Sequence, residues 1–399
     1  MYILGIETSC DETALSIVIT DDTVAKSDSP NFRVLSNLVI SQINVHAPYG
    51  GVFPALAKRE HTKNLVPLLE TALKESDLYI EGIKELDQTV KNSIAEILER
   101  EPELATALID LFSRAKIPAI DVILVTNGPG LEPALWVGVN FARALSILTH
   151  ANIVPVNHME GHVTSILVKD DYLNQNEALY PANEFIFPMI SLLVSGGHTQ
   201  LVLVRDWGDY EIIGETIDDA VGEAFDKVAR MLGMEYPGGP KVSKAAMKGQ
   251  ANDEVSLPRP MIHSGDLRFS FSGLKTAVRY LIEDLKARHG EDLDNQLIAD
   301  IALEFEQSVT EVLVAKTTAA IDTYGAEGLI VAGGVSANRR IAAAMQTLAD
   351  ERGIPLYLPE KTLCGDNSLM ITVAGFMNWS ANNKTTPEEE VVAVGNLRF

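Results

Sequence analysis

The chain has 399 residues, a formal net charge of −23, 46% apolar residues and 22% charged ones. That length exceeds what one hydrophobic core usually serves, so two lobes are expected, and the composition excludes a disordered or fibrous chain. No apolar run approaches a membrane span, and two cysteines, Cys10 and Cys364, exclude a disulfide framework. The acidic balance repels nucleic acid, so any RNA contact needs a local basic surface or partner proteins.

In chain order, Ile3–Ile6 predicts a strand that starts almost at Met1, leaving no room for a signal sequence and pointing to the cytoplasm. The polar turn Glu7-Thr8-Ser9-Cys10-Asp11-Glu12-Thr13 and a return strand, Ala14–Ile19, follow. A helical pattern covers Leu65–Leu73. Between residues 80 and 116, Ile83, Leu86, Val90, Ile94 and Ile97 share one helical face. Pro102 then opens a second helix whose stripe is Leu104, Leu108 and Phe112. With eight acidic and five basic residues, this segment reads as an inserted helical hairpin hanging off the first lobe, polar outside.

Ile190–Val194, the turn Ser195–Thr199 and Gln200–Val204 repeat the opening strand–turn–strand, which predicts two related α/β lobes. Helices are expected at Asp219–Leu232, Leu297–Ile321 and Arg339–Asp350. The expected division is a first lobe over 1–185, a second over 186–365, and a helix and tail over 366–399 returning to the first. The tail beyond Asn382 is polar as far as Val391 and is expected to pack loosely.

His158 and His162 in Asn157-His158-Met159-Glu160-Gly161-His162 stand at i and i+4, on one helical face, where two imidazoles can hold one transition metal ion; a pair of ordinary surface or core histidines fits the spacing equally well. A zincin protease would place glutamate directly after the first histidine. Met159 is there instead, and Glu160 is about 100° further round. A third ligand is available in Asp366 of Cys364-Gly365-Asp366-Asn367, although an aspartate there also suits a helix N-cap.

Glycine turns follow at Leu193-Val194-Ser195-Gly196-Gly197, at Tyr236-Pro237-Gly238-Gly239-Pro240, and at Gly333-Gly334-Val335-Ser336-Ala337-Asn338. Two of the three succeed apolar strands, a pattern suited to backbone contact with phosphate, yet none has Walker or dinucleotide spacing. Between Glu215 and Asp226 five carboxylates crowd twelve residues. They read either as a solvated face or as acids lining a cleft, with Asp226 reaching ribose hydroxyls. Asp11 and Glu12 are candidates for a base or for positioning water or metal.

Together with Ile6–Thr13, Tyr49–Pro54, Gly128–Leu131, Ala224–Lys227 and Phe269–Thr276, these motifs resemble the tRNA threonylcarbamoyladenosine transferases, once described as O-sialoglycoprotein endopeptidases. The resemblance runs in order through nearly the whole chain, except for about 80–116 and the tail. It implies the two-lobed α/β fold of actin, Hsp70 and the sugar kinases, with a nucleotide cleft between duplicated lobes. It also implies transfer of threonylcarbamoyl from threonylcarbamoyl-AMP to N6 of adenosine 37 in tRNAs that read codons beginning with adenine.

By the same resemblance His158, His162 and Asp366 bind one divalent metal ion, iron or zinc. Leu193, Val194, Ser195, Gly196, Gly197, Asp226, Gly239 and Asn338 hold the adenylate, in a cleft that also admits ATP, ADP or AMP. Asp11 and Glu12 are carried over as catalytic candidates. The implied partners are tRNA and accessory proteins, namely an inactive paralogue and an ATPase of the bacterial system, with no membrane. RNA is expected to approach over Arg268, Lys275, Arg279, Arg339 and Arg340.

The chain departs from the family pattern at Ala55, usually glutamate, at Gly365, usually threonine, and at Leu131–Trp136, usually small and apolar. The competing readings are a metalloprotease, a non-catalytic nucleotide-binding scaffold of the same fold, and an ATP-dependent sugar or acetate kinase.

Overall fold

The structure is a computed structural model that describes residues 1–21, 31–82, 85–290, 292–382 and 385–399. Ile83 of the first apolar stripe lies outside the described residues. The chain divides into two compact units. One comprises Met1–Val45, Val52–Phe185 and Gly365–Phe399, the other His46–Gly51 and Ile186–Cys364.

The first unit is built on β1 (Tyr2–Glu7), β2 (Glu12–Thr20), β3 (Phe32–Ser41), β4 (Val122–Gly128) and β5 (Asn152–Asn157), in the order β3-β2-β1-β4-β5. The second uses β6 (Met189–Val194), β7 (Thr199–Asp206), β8 (Asp209–Glu215), β9 (Gly328–Ala332) and β10 (Leu356–Tyr357), in the order β8-β7-β6-β9-β10. In each sheet the first three strands are antiparallel neighbours, and the fourth and fifth join the first side in parallel. The two sheets thus share one topology, that of the actin-like α/β fold. Their central strands are buried almost throughout, as parallel strands covered by helices must be.

The first half of the chain carries α1 (Ile43–His46), α2 (Pro54–Glu75), α3 (Gln88–Ile97), α4 (Pro102–Arg114), α5 (Glu132–Thr149) and α6 (His158–Thr164). The second half carries α7 (Val221–Met231), α8 (Gly238–Ala246), α9 (Ser272–His289), α10 (Asn295–Tyr324), α11 (Arg339–Arg352) and α12 (Ser368–Asn382). Helix α12 packs on β1, β2, β4, β5 and α6. Two glycines permit this. A Cβ at Gly5 would lie 2.0 Å from Thr372 Oγ1, and one at Gly161 would lie 2.9 Å from Ile371 Cδ1.

Two local expectations change. The hairpin between residues 80 and 116 does not hang off its lobe: Leu86, Ile94, Leu104, Leu108, Leu111 and Phe112 are buried in the same core as Leu4 and Ile6 of β1 and Leu65 and Leu69 of α2. Its apolar stripes are continuous with the face of α2, and Arg114 ties it there through Glu70 at 2.7 Å. Nor does the tail pack loosely. Val391 and Ala393 are buried, and the Val394 amide donates to the Asn127 carbonyl at 2.7 Å.

Because Leu108 is fully buried in that core, Leu108→Ala is expected to cost about 2–5 kcal/mol in denaturant unfolding. A loss under about 1 kcal/mol would mark the hairpin as a peripheral decoration.

Candidate functional site

Helix α6 begins where β5 ends, and Asn157 caps it: its Oδ1 accepts from the amides of Met159 at 2.9 Å and Glu160 at 3.4 Å. The cap starts the helix at His158, so His158 and His162 stand one turn apart on the same face. Gly161, between them, lets α12 approach, and Asp366 in the turn before α12 arrives opposite both rings. His158 Nε2 and His162 Nε2 lie 3.5 and 3.3 Å from Asp366 Oδ1. Ligand atoms around a tetrahedral ion with bonds of about 2.1 Å are about 3.4 Å apart, so the spacing fits a metal ion.

The donor chemistry fits too. His162 is buried, with its Nε2 facing the Asp366 carboxylate at 3.3 Å but in poor hydrogen-bond geometry, an arrangement that costs free energy unless something else binds there. Asp366 is free to turn inward because the next residue takes the capping role weighed for it: Asn367 Oδ1 accepts from the Met370 amide at 2.9 Å. Among the described residues, these three side chains form a group whose ligand atoms all lie within 4.8 Å of one another.

Glu7, at the end of β1, was not singled out in the sequence. Its fully buried carboxylate accepts from His158 Nδ1 at 3.0 Å, from Thr126 Oγ1 at 2.6 Å and from the Ser9 amide. The bond to Nδ1 fixes the tautomer and turns Nε2 toward Asp366. Burial opposes a charge on His158, but Asp366 and Glu7 outweigh it and raise its pKa well above the usual histidine value. Burial likewise works against the Asp366 carboxylate, yet the His158 imidazolium holds it far below the usual range. Glu7 is lowered in the same way, against burial, by His158.

Asp11 and Glu12 lie in the turn after β1 and at the start of β2. Burial, then Asp366 and Asp11, push Glu12 up to about 9, so it stays protonated at neutral pH. Burial, then Asp11, raise the Cys10 thiol well above its ordinary value, which removes it as a nucleophile. The Glu160 carboxylate accepts from Asn378 Nδ2 on α12 at 2.7 Å. The metalloprotease reading needs its base at position 159, where Met159 stands, and Glu160 is bonded to α12 instead.

In the second unit the three glycine turns converge on a cavity of about 560 Å³, within the usual size for a small-molecule site. Gly196, Asp226, Gly239 and Asn338 line it, with Gly222, Phe225, Ser243, Lys244, Glu306, Gly334, Arg339 and Arg340. No heavy atom lies within 4 Å of a Cβ built at Gly196, so the turn leaves room above its backbone. Asp226 Oδ1 accepts from the Gly238 amide at 2.7 Å and fixes the start of α8. Asn338 caps α11 and donates to Glu306 at 2.8 Å and Ser243 at 2.9 Å.

Leu193, Val194, Ser195 and Gly197 are not among the lining residues. Leu193 and Val194 are fully buried side chains of β6, and Ser195 closes the hairpin with His198. Glu306, Ser243 and Lys244 were not anticipated. Nothing in the helical patterns of α8 and α10 distinguishes them from other polar positions.

The acidic run is mostly structural. Asp218 accepts from the Phe271 amide at 2.8 Å, Asp219 pairs with Lys227 at 2.8 Å and Lys275 at 3.4 Å, and Glu223 pairs with Lys227 at 2.7 Å. The five basic residues expected to meet RNA are largely neutralised. Arg268 pairs with Asp266, Lys275 with Asp219, Arg279 with Glu283 and Arg340 with Glu306. Arg339 has no acidic partner among the described residues and faces the cavity.

The sequence profile of the tRNA N6-adenosine threonylcarbamoyltransferase family matches residues 33–89 and 101–373, so of the segment 80–116 expected to stand outside the resemblance only residues 90–100 do, and α4 lies within it. The protein of that name from Chromobacterium violaceum is 41% identical over 377 residues, which cover 94% of this chain and 93% of the relative. The one from Burkholderia thailandensis is 42% identical over 377 residues, covering 94% and 91%. Among solved structures, an activator of the 2-hydroxyisocaproyl-CoA dehydratase from Clostridium difficile superposes with a TM-score of 0.42 at 12% identity, over 95% of both chains.

A metal ion that binds through His158 Nε2 would displace a proton from an imidazole whose pKa, against burial, Asp366 and Glu7 raise above the usual histidine value. Apparent Zn²⁺ affinity should therefore rise about tenfold per pH unit until His158 deprotonates unaided, then level off. Competition titrations from pH 5.5 upward, at about half-unit steps, read this directly. A flat profile would show that no ligand loses a proton on binding and would overturn the raised pKa of His158. Glu7→Gln should weaken Zn²⁺ binding about 10- to 100-fold by loosening the ring.

Proposed function

The chain belongs to the tRNA N6-adenosine threonylcarbamoyltransferase family, and on that premise we propose that it transfers threonylcarbamoyl from threonylcarbamoyl-AMP to N6 of adenosine 37 in tRNAs reading codons that begin with adenine. The observation that carries this reading beyond family membership is the ligand-spaced group of His158, His162 and Asp366, with His162 Nε2 buried and facing the Asp366 carboxylate.

The cavity of the second unit holds the adenylate. Backbone around Gly196 and Gly239 approaches the phosphate, Lys244 and Arg339 balance its charge, and Asp226 accepts from ribose hydroxyls. The acyl carbon is already activated by its bond to AMP, so the protein's task is to position it and to stabilise developing negative charge. Iron or zinc, if held by His158, His162 and Asp366, would supply Lewis-acid stabilisation of negative charge. N6 forms the new bond to the carbamoyl carbon as the bond to the phosphate oxygen of AMP breaks. Asp11, beside a Glu12 that keeps its own proton, is the candidate acceptor for the proton lost from N6.

The balance of −23 in charge and the paired basic residues support a need for accessory proteins in holding tRNA. An inactive paralogue and an ATPase fill that role, in the cytoplasm. No helix among the described residues is long and apolar enough to cross a membrane.

The test combines metal-loaded protein, accessory proteins, threonine, bicarbonate, ATP, the adenylate-forming enzyme and unmodified tRNA, followed by nucleoside chromatography. Threonylcarbamoyladenosine is the expected product, and its absence from the full mixture would overturn the proposal. His162→Ala and Asp366→Asn should lower its formation at least about 100-fold. Asp226→Asn should instead raise the KM for the adenylate about tenfold with a smaller change in kcat.

A further inference from the structure

Residues 391–399 lie beyond the span matched by the family profile, yet they are bonded to the elements around the metal helix along two routes. The first passes through a loop. Gly130 donates its amide to the Gly395 carbonyl at 3.1 Å, and a Cβ at Gly128 would lie 2.0 Å from the Val394 carbonyl. From that loop the Leu131 amide donates to the Ser9 carbonyl at 2.7 Å, and Ser9 Oγ lies 3.2 Å from His158 Nδ1. The second route is direct. Asn157 Nδ2 donates to the Arg398 carbonyl at 3.2 Å, while Asn157 Oδ1 caps α6 one residue before His158.

Val391 and Ala393 already supply the buried apolar contacts of this segment, whereas residues 394–398 are half-buried or exposed. What these last residues contribute is therefore hydrogen bonding to the loop and to the cap, not core. We propose that residues 394–398 act as a brace that positions the His158 imidazole for metal binding, with Asn157 as the positioning residue at which brace and helix meet. One end of its amide ends the helix, and the other is held by the tail. A cap held at both ends restricts the helix start and, with it, the direction of His158 Nε2.

The proposal rests on the metal site of His158, His162 and Asp366, and the experiment separates the two. Zn²⁺ affinity is measured by competition, and Co²⁺ absorption spectra are recorded, for the full chain, for Asn157→Asp, for a chain ending at Gly395, and for the two changes combined. Asn157→Asp keeps the cap acceptor and replaces the donor to Arg398 with an anionic oxygen that cannot make that bond. Each single change should weaken Zn²⁺ binding about tenfold, alter the Co²⁺ ligand-field bands, and leave metal-free thermal unfolding within a few degrees. Because both changes cut the same bond, the combination should also lose about tenfold, not hundredfold.

Parental affinity and spectra in all three variants would overturn the brace, as would losses that multiply. If the full chain binds neither metal, the site itself falls and the brace with it. Should Asn157→Asp fail to fold, the chain ending at Gly395 leaves residue 157 intact and decides the question alone.

Discussion

The candidate metal centre depends on how closely α6 can lie against α12. Gly161 sits between the two histidines, and a side chain there would press into Ile371 and Met370. Without that approach Asp366 could not stand within 3.3–3.5 Å of both imidazoles. Gly5 has the same role in the sheet below, where β1 passes under Thr372. Close packing of one helix thus fixes the geometry of a polar site, and the penalty for error is high, since buried charged groups are costly unless matched.

Around that contact the charges form a closed set. Glu7 and Asp366 flank His158 on its two ring nitrogens, and Thr126 and the Ser9 amide occupy what remains of the Glu7 carboxylate. The carboxylate–imidazole arrangement holds the ring before any ion arrives, so little is left to organise on binding. In the second unit the preparation is different. Helix starts and glycine turns surround a cavity, and side chains such as Asp226 and Asn338 are themselves bonded to the scaffold, Asn338 through both ends of its amide.

Features with a local signature were legible from the residues alone. The spacing of His158 and His162 is a helical period, and the strand–turn–strand at the start of each half announced two sheets that prove to share one topology. Asp366 gained its assignment through resemblance, because its partners lie about two hundred positions away in the chain. Glu7 was missed for the same reason: its contact with His158 spans 151 positions and leaves no periodic trace. The acidic run from Glu215 to Asp226 was over-read, since its partners are downstream amides at Gly238 and Phe271 and the distant Lys275.

The burial of the hairpin of α3 and α4 has a consequence for what the chain can lose. Its leucines and Phe112 cover apolar surface of α2 that also belongs to the host core. Excising the segment would bare that surface to water and invite association with other chains. The outer polar face of the segment can therefore vary freely, while its apolar stripes are as constrained as any strand of the core they belong to.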